Sequence, residues 1–225
     1  MEVTNEVNGG GWLRELGRRF GIWWFLKMVG TMAFMGLFFV GYFWVLRHPG
    51  GSVTIMPRTF LDEWIGFVPM ALPVYLSLWL YVGLLPALYK NFAELFHYVL
   101  GVIGLSLFGL GVFYRWPTTV PMVDLDRMQA PWFAFLKRMD ASGNACPSLH
   151  VAFAIFTAIG FTRLLREVKA PRIAFVINVL WSAGICYSTV AIRQHVVLDL
   201  VAGTVLGVVA GKLVFSERWA TWRSA

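Results

Sequence analysis

Charged side chains are scarce in this 225-residue chain: Asp, Glu, Lys and Arg make up 14% of it, against about 25% in a soluble domain. That shortage argues against an ordinary water-facing surface. Cysteine is almost missing, with only Cys146 and Cys186. Two cysteines make no disulfide framework, and no CxxC or Cys/His spacing points to zinc. Both read as small buried apolar residues. No metal cluster and no cofactor motif is visible. There is also no linker, repeat or low-complexity tract, so the chain reads as one domain. What fills it instead is apolar: 58% of residues are hydrophobic, and the mean hydropathy is +0.66.

A membrane helix needs about 20 mostly apolar residues, because each adds ~1.5 Å against a hydrocarbon core of ~30 Å. Met28–Leu46, Trp64–Tyr89, Leu95–Tyr114 and Ile173–Ile192 are such runs, the third interrupted only by His97. Ser148–Thr162 is shorter, and Val196–Phe215 carries Asp199 and Lys212. The expected fold is all-α, with six transmembrane helices between residues 28 and 215. Residues 1–27 form an N-terminal segment whose Trp12–Lys27 stretch is basic and aromatic enough to lie at the interface. Residues 1–11 read as mobile, and residues 216–225 as a tail. The first run is too long for a signal peptide, and Arg47-His48-Pro49-Gly50 is no small-residue cleavage site, so it reads as a retained anchor.

The net charge of +7 would suggest nucleic acid in a soluble protein. Here the cations lie between apolar runs, where they orient helices and meet anionic headgroups. With the N-terminus inside, the inner segments hold 12 Lys and Arg and the outer segments 7. Both termini are therefore expected inside. The short loops fit a bacterial inner membrane, with the outer face toward the periplasm.

This topology carries His150, His195, Arg115 and Arg193 to one face, at the outer ends of spans 3, 4 and 6. His195 and Asp199 are spaced i, i+4 and share a helix face. The carboxylate can fix the tautomer of His195 and leave its other nitrogen free to attack. The same pair can equally be structural, satisfying a buried carboxylate. Pro147 suits the first position of a helix, Ser148 can donate to a phosphate oxygen, and His150, one turn in, can protonate a leaving oxygen. An ordinary helix cap has the same Pro-Ser-x-His pattern. Arg193 and Arg115 suit stabilisation of phosphate charge, since guanidinium forks fit phosphate oxygens.

Taken together, Pro147-Ser148-Leu149-His150 and His195-x-x-x-Asp199 resemble the second and third motifs of the type 2 phosphatidic acid phosphatase superfamily. The resemblance runs from Arg115 to Gly203 in motifs and over six helices in layout. It departs from the family pattern in two places. Ser188 is followed by Thr189, with the arginine displaced to Arg193. Phe108 stands at the first-motif lysine position, and Trp116 separates Arg115 from Pro117. With those departures, Trp116–Pro121, Cys146–His150 and Ser188–His195 resemble the inositol phosphorylceramide synthase-like branch, whose members move a phospho-headgroup onto a lipid alcohol.

The resemblance implies an enzyme without metal or other cofactor, acting on a membrane phospholipid or lipid phosphate. His195 would be a nucleophile forming phosphohistidine, with Asp199 orienting it and His150 as acid and base. Arg193, Ser148 and Arg115 would hold phosphate oxygens. The reaction is expected to be hydrolysis of a lipid phosphate, or alternatively transfer of a phospho-headgroup between lipids. A lipid carrier or channel could use His195–Asp199 as a polar relay, but would need neither Pro-Ser-x-His nor the flanking arginines. Glu94 and His97 read as interfacial or hydrogen-bonded, and His48 as a loop residue. Asp62 and Glu63 read as boundary residues able to meet a headgroup, and Lys137 and Arg138 as a solvated pair able to recruit anionic lipid.

Overall fold

The computed structural model describes residues 10–121 and 143–216. The described elements are α1 (Gly11–Gly21), α2 (Trp24–Arg47), β1 (Thr54–Ile55), α3 (Phe60–Ile65), a 3₁₀ turn (Pro69–Ala71) leading into α4 (Leu72–Leu76) and α5 (Leu78–Ala87), α6 (Phe92–Arg115), β2 (Thr118–Thr119), α7 (Leu149–Glu167), α8 (Arg172–Ala191) and α9 (Val197–Phe215). Among these residues, six segments are long and apolar enough to cross a membrane: α2, Pro69–Ala87, α6, α7, α8 and α9. The protein is an all-α integral membrane protein. Arg127, Lys137, Arg138, residues 1–9 and residues 217–225 lie outside the described residues.

The largest differences from the hydropathy reading fall at three boundaries. The first span begins at Trp24, not Met28, and Lys27 lies inside it with its ammonium donating to the carbonyls of Arg19 and Ala87, both at 2.9 Å. Trp64 is not part of the second span but belongs to α3. Gly66 then turns the chain at φ 67°, a conformation open chiefly to glycine, and the membrane segment starts at Pro69. Pro69 and Pro73 sit in the first turns of their helices, where a missing N–H costs nothing. The fourth span runs on to Glu167 rather than stopping at Thr162, because Arg163 is satisfied inside the bundle by the Phe215 carbonyl at 3.0 Å.

The central element is α7, whose Val151, Ala152, Ala154 and Phe156 have no exposed surface. Against it lies α9, through a glycine at every fourth position. A Cβ at Gly203 would stand 2.4 Å from the Ser148 carbonyl oxygen, and one at Gly207 2.5 Å from that of Ala152. Only a small-residue stripe lets two membrane helices approach so closely. That approach brings the N-terminus of α9 alongside the N-terminus of α7, and with it His195 alongside His150.

The two ends of the bundle are built differently. One end carries a parallel pairing of β1 with β2, in register Thr54 to Thr118, extended by a bridge from Thr118 to Asn144. At the other end lies α1. There the buried Arg19 bonds Glu15 at 2.8 Å and Glu167 at 3.0 Å, and Lys90 joins Glu167. The hydrogen bonds from Arg18 and Arg19 hold the Glu15 carboxyl down at about 2. His97 and Glu94 also belong to this end. His97 Nδ1 meets the Ala93 carbonyl at 2.7 Å, and the Glu94 N–H donates to the capping Asn91 side chain at 2.8 Å.

Candidate active site

Thr118 organises the backbone from which the site is built. Its carbonyl accepts from the N–H groups of Gly143 and Ala145, both at 3.0 Å. Its hydroxyl accepts from the Cys146 N–H at 2.7 Å. This fixes the segment entering α7 and points the Ala145 carbonyl at His195, whose Nδ1 lies 3.0 Å from that oxygen. The Asp199 Oδ2 is the second neighbour of Nδ1, at 3.5 Å. A carbonyl can only accept, so Nδ1 carries the proton, and in the neutral ring Nε2 keeps its lone pair.

The sequence assigned the orienting role to Asp199 alone. The structure adds a second partner: the Ala145 carbonyl makes the shorter contact to Nδ1, at 3.0 Å against 3.5 Å for Asp199. Asp199 is fully buried, and its Oδ2 also accepts from the Val196 N–H at 2.9 Å. Its Oδ1 has no hydrogen-bond partner among the described residues. The carboxylate thus anchors the chain just after His195 while adding negative charge behind the ring.

His150 is the second residue of α7, not a full turn into it, and Ser148 is the N-cap. Pro147 accordingly precedes the cap instead of occupying the first helical position. The Ser148 hydroxyl accepts from the Val151 N–H at 3.3 Å, its N–H donates to the Asp199 carbonyl at 3.1 Å, and the residue is fully buried. In this structure it ties the starts of α7 and α9 together and does not line the cavity described next.

A cavity of ≈ 230 Å³ opens between the two histidines, with Tyr42, Tyr75, Asn144 and Gln194 among its polar walls. The His150 and His195 ring centroids are 6.3 Å apart. His150 is stacked on Tyr75 at 4.2 Å and 12°, with Trp79 edge-on at 5.6 Å. Its Nδ1 is 3.5 Å from the Tyr75 hydroxyl, and its Nε2 is buried without a partner among the described residues. Phe38, Phe39, Phe43 and Trp79 form the apolar walls. Trp79 also lines a second, largely apolar cavity of ≈ 340 Å³ between α2, α5 and α6.

The arginines are not brought into this cavity. Arg115 is exposed at the end of α6. Arg193 is half-buried at φ 60°; burial and the neighbouring Arg58 lower its pKa, opposed by Asp62 and Glu63. Both arginines stay on the site's face of the bundle, but outside its walls. Cys146 is buried, and burial and the Asp199 carboxylate push its thiol up to about 11.

Asp62 is a correction of a different kind. It does not face a headgroup; it is 1% exposed. One oxygen accepts from the Thr59 N–H and hydroxyl, each at 2.7 Å, and the other accepts from the Val197 N–H at 2.8 Å. Asp62 therefore closes the N-terminus of α3 and also that of α9, two residues after His195. The Thr59-x-x-Asp62 spacing is visible in the sequence as a capping pattern; the reach to Val197 is not.

Residues 116–223, just under half of the chain, match the family model of the PAP2 superfamily. The matched stretch contains Ser148, His150, Arg193, His195 and Asp199, and starts one residue after Arg115. No curated protein and no solved structure matches the chain at a significant level.

Proposed function

We propose that the chain is a PAP2-superfamily enzyme that takes the phosphoryl group from a lipid phosphate onto His195. The observation that carries this reading is the pair of histidines facing one cavity, with Nδ1 of His195 engaged by Ala145 and Asp199 and its Nε2 left as the nucleophilic nitrogen. The family match over residues 116–223 supports it independently.

In the first half-reaction the Nε2 lone pair forms a bond to phosphorus, the bond from phosphorus to the lipid oxygen breaks, and that oxygen takes a proton from protonated His150. In the second, an acceptor hydroxyl gives its proton to His150 and attacks phosphorus, the N–P bond breaks, and neutral His195 returns. A phosphorus atom ~3–3.5 Å from the attacking nitrogen, with its leaving oxygen within ~2.6–3.2 Å of the acid, suits two rings whose centroids are 6.3 Å apart. The Asp199 charge behind His195 stabilises the imidazolium-like ring of the intermediate. This route needs no metal or cofactor.

The lipid nature of the substrate is supported by the aromatic walls and by Trp79, which links the cavity to the apolar one beside α2. Water as acceptor makes the protein a lipid phosphatase, the reading we favour. A lipid alcohol would make it a headgroup transferase like the inositol phosphorylceramide synthase-like branch, the reading favoured by Trp116–Pro121 and by the displaced Arg193. The cation bias of the loops supports an orientation with the site outside, as on the periplasmic side of a bacterial inner membrane. The test is purified protein incubated with a panel of lipid phosphates and phospholipids, with and without a lipid alcohol. Phosphate release without the alcohol identifies the phosphatase. Headgroup transfer that requires the alcohol identifies the transferase. Neither, across the whole panel, contradicts the proposal.

A further inference from the structure

Gln194 has no role in the motifs that drew attention to this region, yet it is placed where a substrate group has to be. It directly precedes His195 and follows the αL turn at Arg193. Its N–H and that of His195 both donate to the Thr189 carbonyl at 3.1 Å, so the end of α8 fixes its backbone. The side chain is 5% exposed and lines the cavity between the histidines. Its Nε2, a donor with two hydrogens, has no partner among the described residues. Leaving such a donor unpaired in a buried site is costly, and native structures hold few of them.

We propose that the Gln194 carboxamide is a substrate-binding group, donating from Nε2 to a non-bridging oxygen of the phosphoryl group under attack by His195. This deepens the proposed function and rests on it for the identity of the reacting group. The ligand class is a tetrahedral or trigonal-bipyramidal oxyanion of phosphorus. The amide takes over part of the cradle that the departures at Phe108 and Thr189 leave open, and it does so with a neutral donor. A neutral donor inside a low-dielectric wall needs no counter-ion when the site is empty, whereas a buried unpaired cation would be strongly disfavoured. Arg193 and Arg115, outside the walls, then act on the charge of the lipid as it approaches.

The test does not depend on turnover. Thermal unfolding of the full-length protein in detergent is followed against increasing orthovanadate, an oxyanion that mimics the phosphoryl group, with inorganic phosphate as a second probe. Gln194→Glu keeps the size of the side chain and replaces the donor by an acceptor, while Gln194→Met keeps the length without polarity. Stabilisation of the wild type, with half-saturation moved roughly 10- to 100-fold upward in both variants, is expected from loss of one hydrogen bond to a charged group. Equal half-saturation in the wild type and either folded variant overturns the proposal, and so does a wild type that vanadate does not stabilise. Lipid turnover by the wild type reports separately on the enzyme reading. Vanadate binding that depends on Gln194, in a protein that releases no phosphate and moves no headgroup, would sink that reading and leave the oxyanion site standing.

Discussion

The two ends of this helical bundle handle buried polarity in opposite ways. At the end capped by α1, charges meet charges: Glu15, Arg18, Arg19, Glu167 and Lys90 form one ion-pair network, and Lys27 is held by two carbonyls. At the end capped by β1 and β2, side chains are held mostly by backbone. Ala145 holds His195, Thr118 holds the segment of Ala145, and Asp62 and Asp199 hold the start of α9. Three side-chain atoms there, on His150, Gln194 and Asp199, are buried without a partner among the described residues. The first end is held by ion pairs, and the second is where we propose the chemistry takes place. At the first end even the buried Arg19 Nη1, which has no partner among the described residues, sits between two carboxylates, whereas at the second end the unpartnered atoms of His150 and Gln194 belong to residues that line a cavity and have unused bonding capacity there.

That contrast is broken most sharply by removing the nitrogen proposed to attack. His195→Ala should lower turnover by about 10⁴-fold or more with little change in unfolding temperature. His150→Ala should lower it by about 10²–10⁴-fold, the usual range for a lost acid or base. Either variant at wild-type rate, in a lipid phosphate assay, would move the chemistry elsewhere.

Asp62 tests whether backbone anchoring reaches the chemistry. Asp62→Ala strands the Thr59 and Val197 N–H groups, each at about 1–3 kcal/mol. Both the unfolding temperature and turnover should fall, with Asp62→Asn recovering part of each because it retains a carbonyl acceptor. An Asp62→Ala protein that keeps full turnover would show that the start of α9 needs no such tether.

The opposite end should respond in stability alone. Glu167→Ala leaves the buried Arg19 with one carboxylate instead of two. The loss should be about 1–2 kcal/mol, discounted from that of a fully buried pair because Glu167 is 31% exposed. Turnover at a temperature well below unfolding should not change; a fall in turnover would couple the two ends.

The smallest expected effect is a pH dependence. The Glu15 carboxyl, depressed from its ordinary 4.5 to about 2, contributes stability that is complete above pH 4.5. It is lost as pH falls from there toward 2. Glu15→Gln should flatten the decline of the unfolding temperature over that interval. An unaltered profile would mean that the pairs with Arg18 and Arg19 are too exposed to matter.

The sequence made the six spans legible because hydropathy over ~20 residues is a strong signal. It placed His150 and His195 at one face, as alternating spans require. It located Asp199 through the i, i+4 spacing. It missed the break before the second span, since Trp64, Ile65, Phe67 and Val68 are as apolar as a span and only Gly66 and Pro69 mark the turn. It also missed the partners that orient the site. The carbonyl of Ala145 belongs to a residue whose side chain says nothing, and the tether from Asp62 to Val197 crosses 135 positions. Gln194 was adjacent to the most prominent histidine, but amides carry no motif in the patterns that mark phosphate chemistry. The arginines show the converse: Arg115 and Arg193 were prominent in sequence and stand outside the cavity walls.

The central claim is a covalent bond between His195 and phosphorus. It is tested most directly by mixing the protein with a radiolabelled lipid phosphate, quenching within the first turnover, and mapping the label after proteolysis. The account predicts an acid-labile, base-stable phosphoprotein with the label on His195, absent from His195→Ala. Turnover without any labelled protein at the shortest quench times, or a label that persists in His195→Ala, would contradict it.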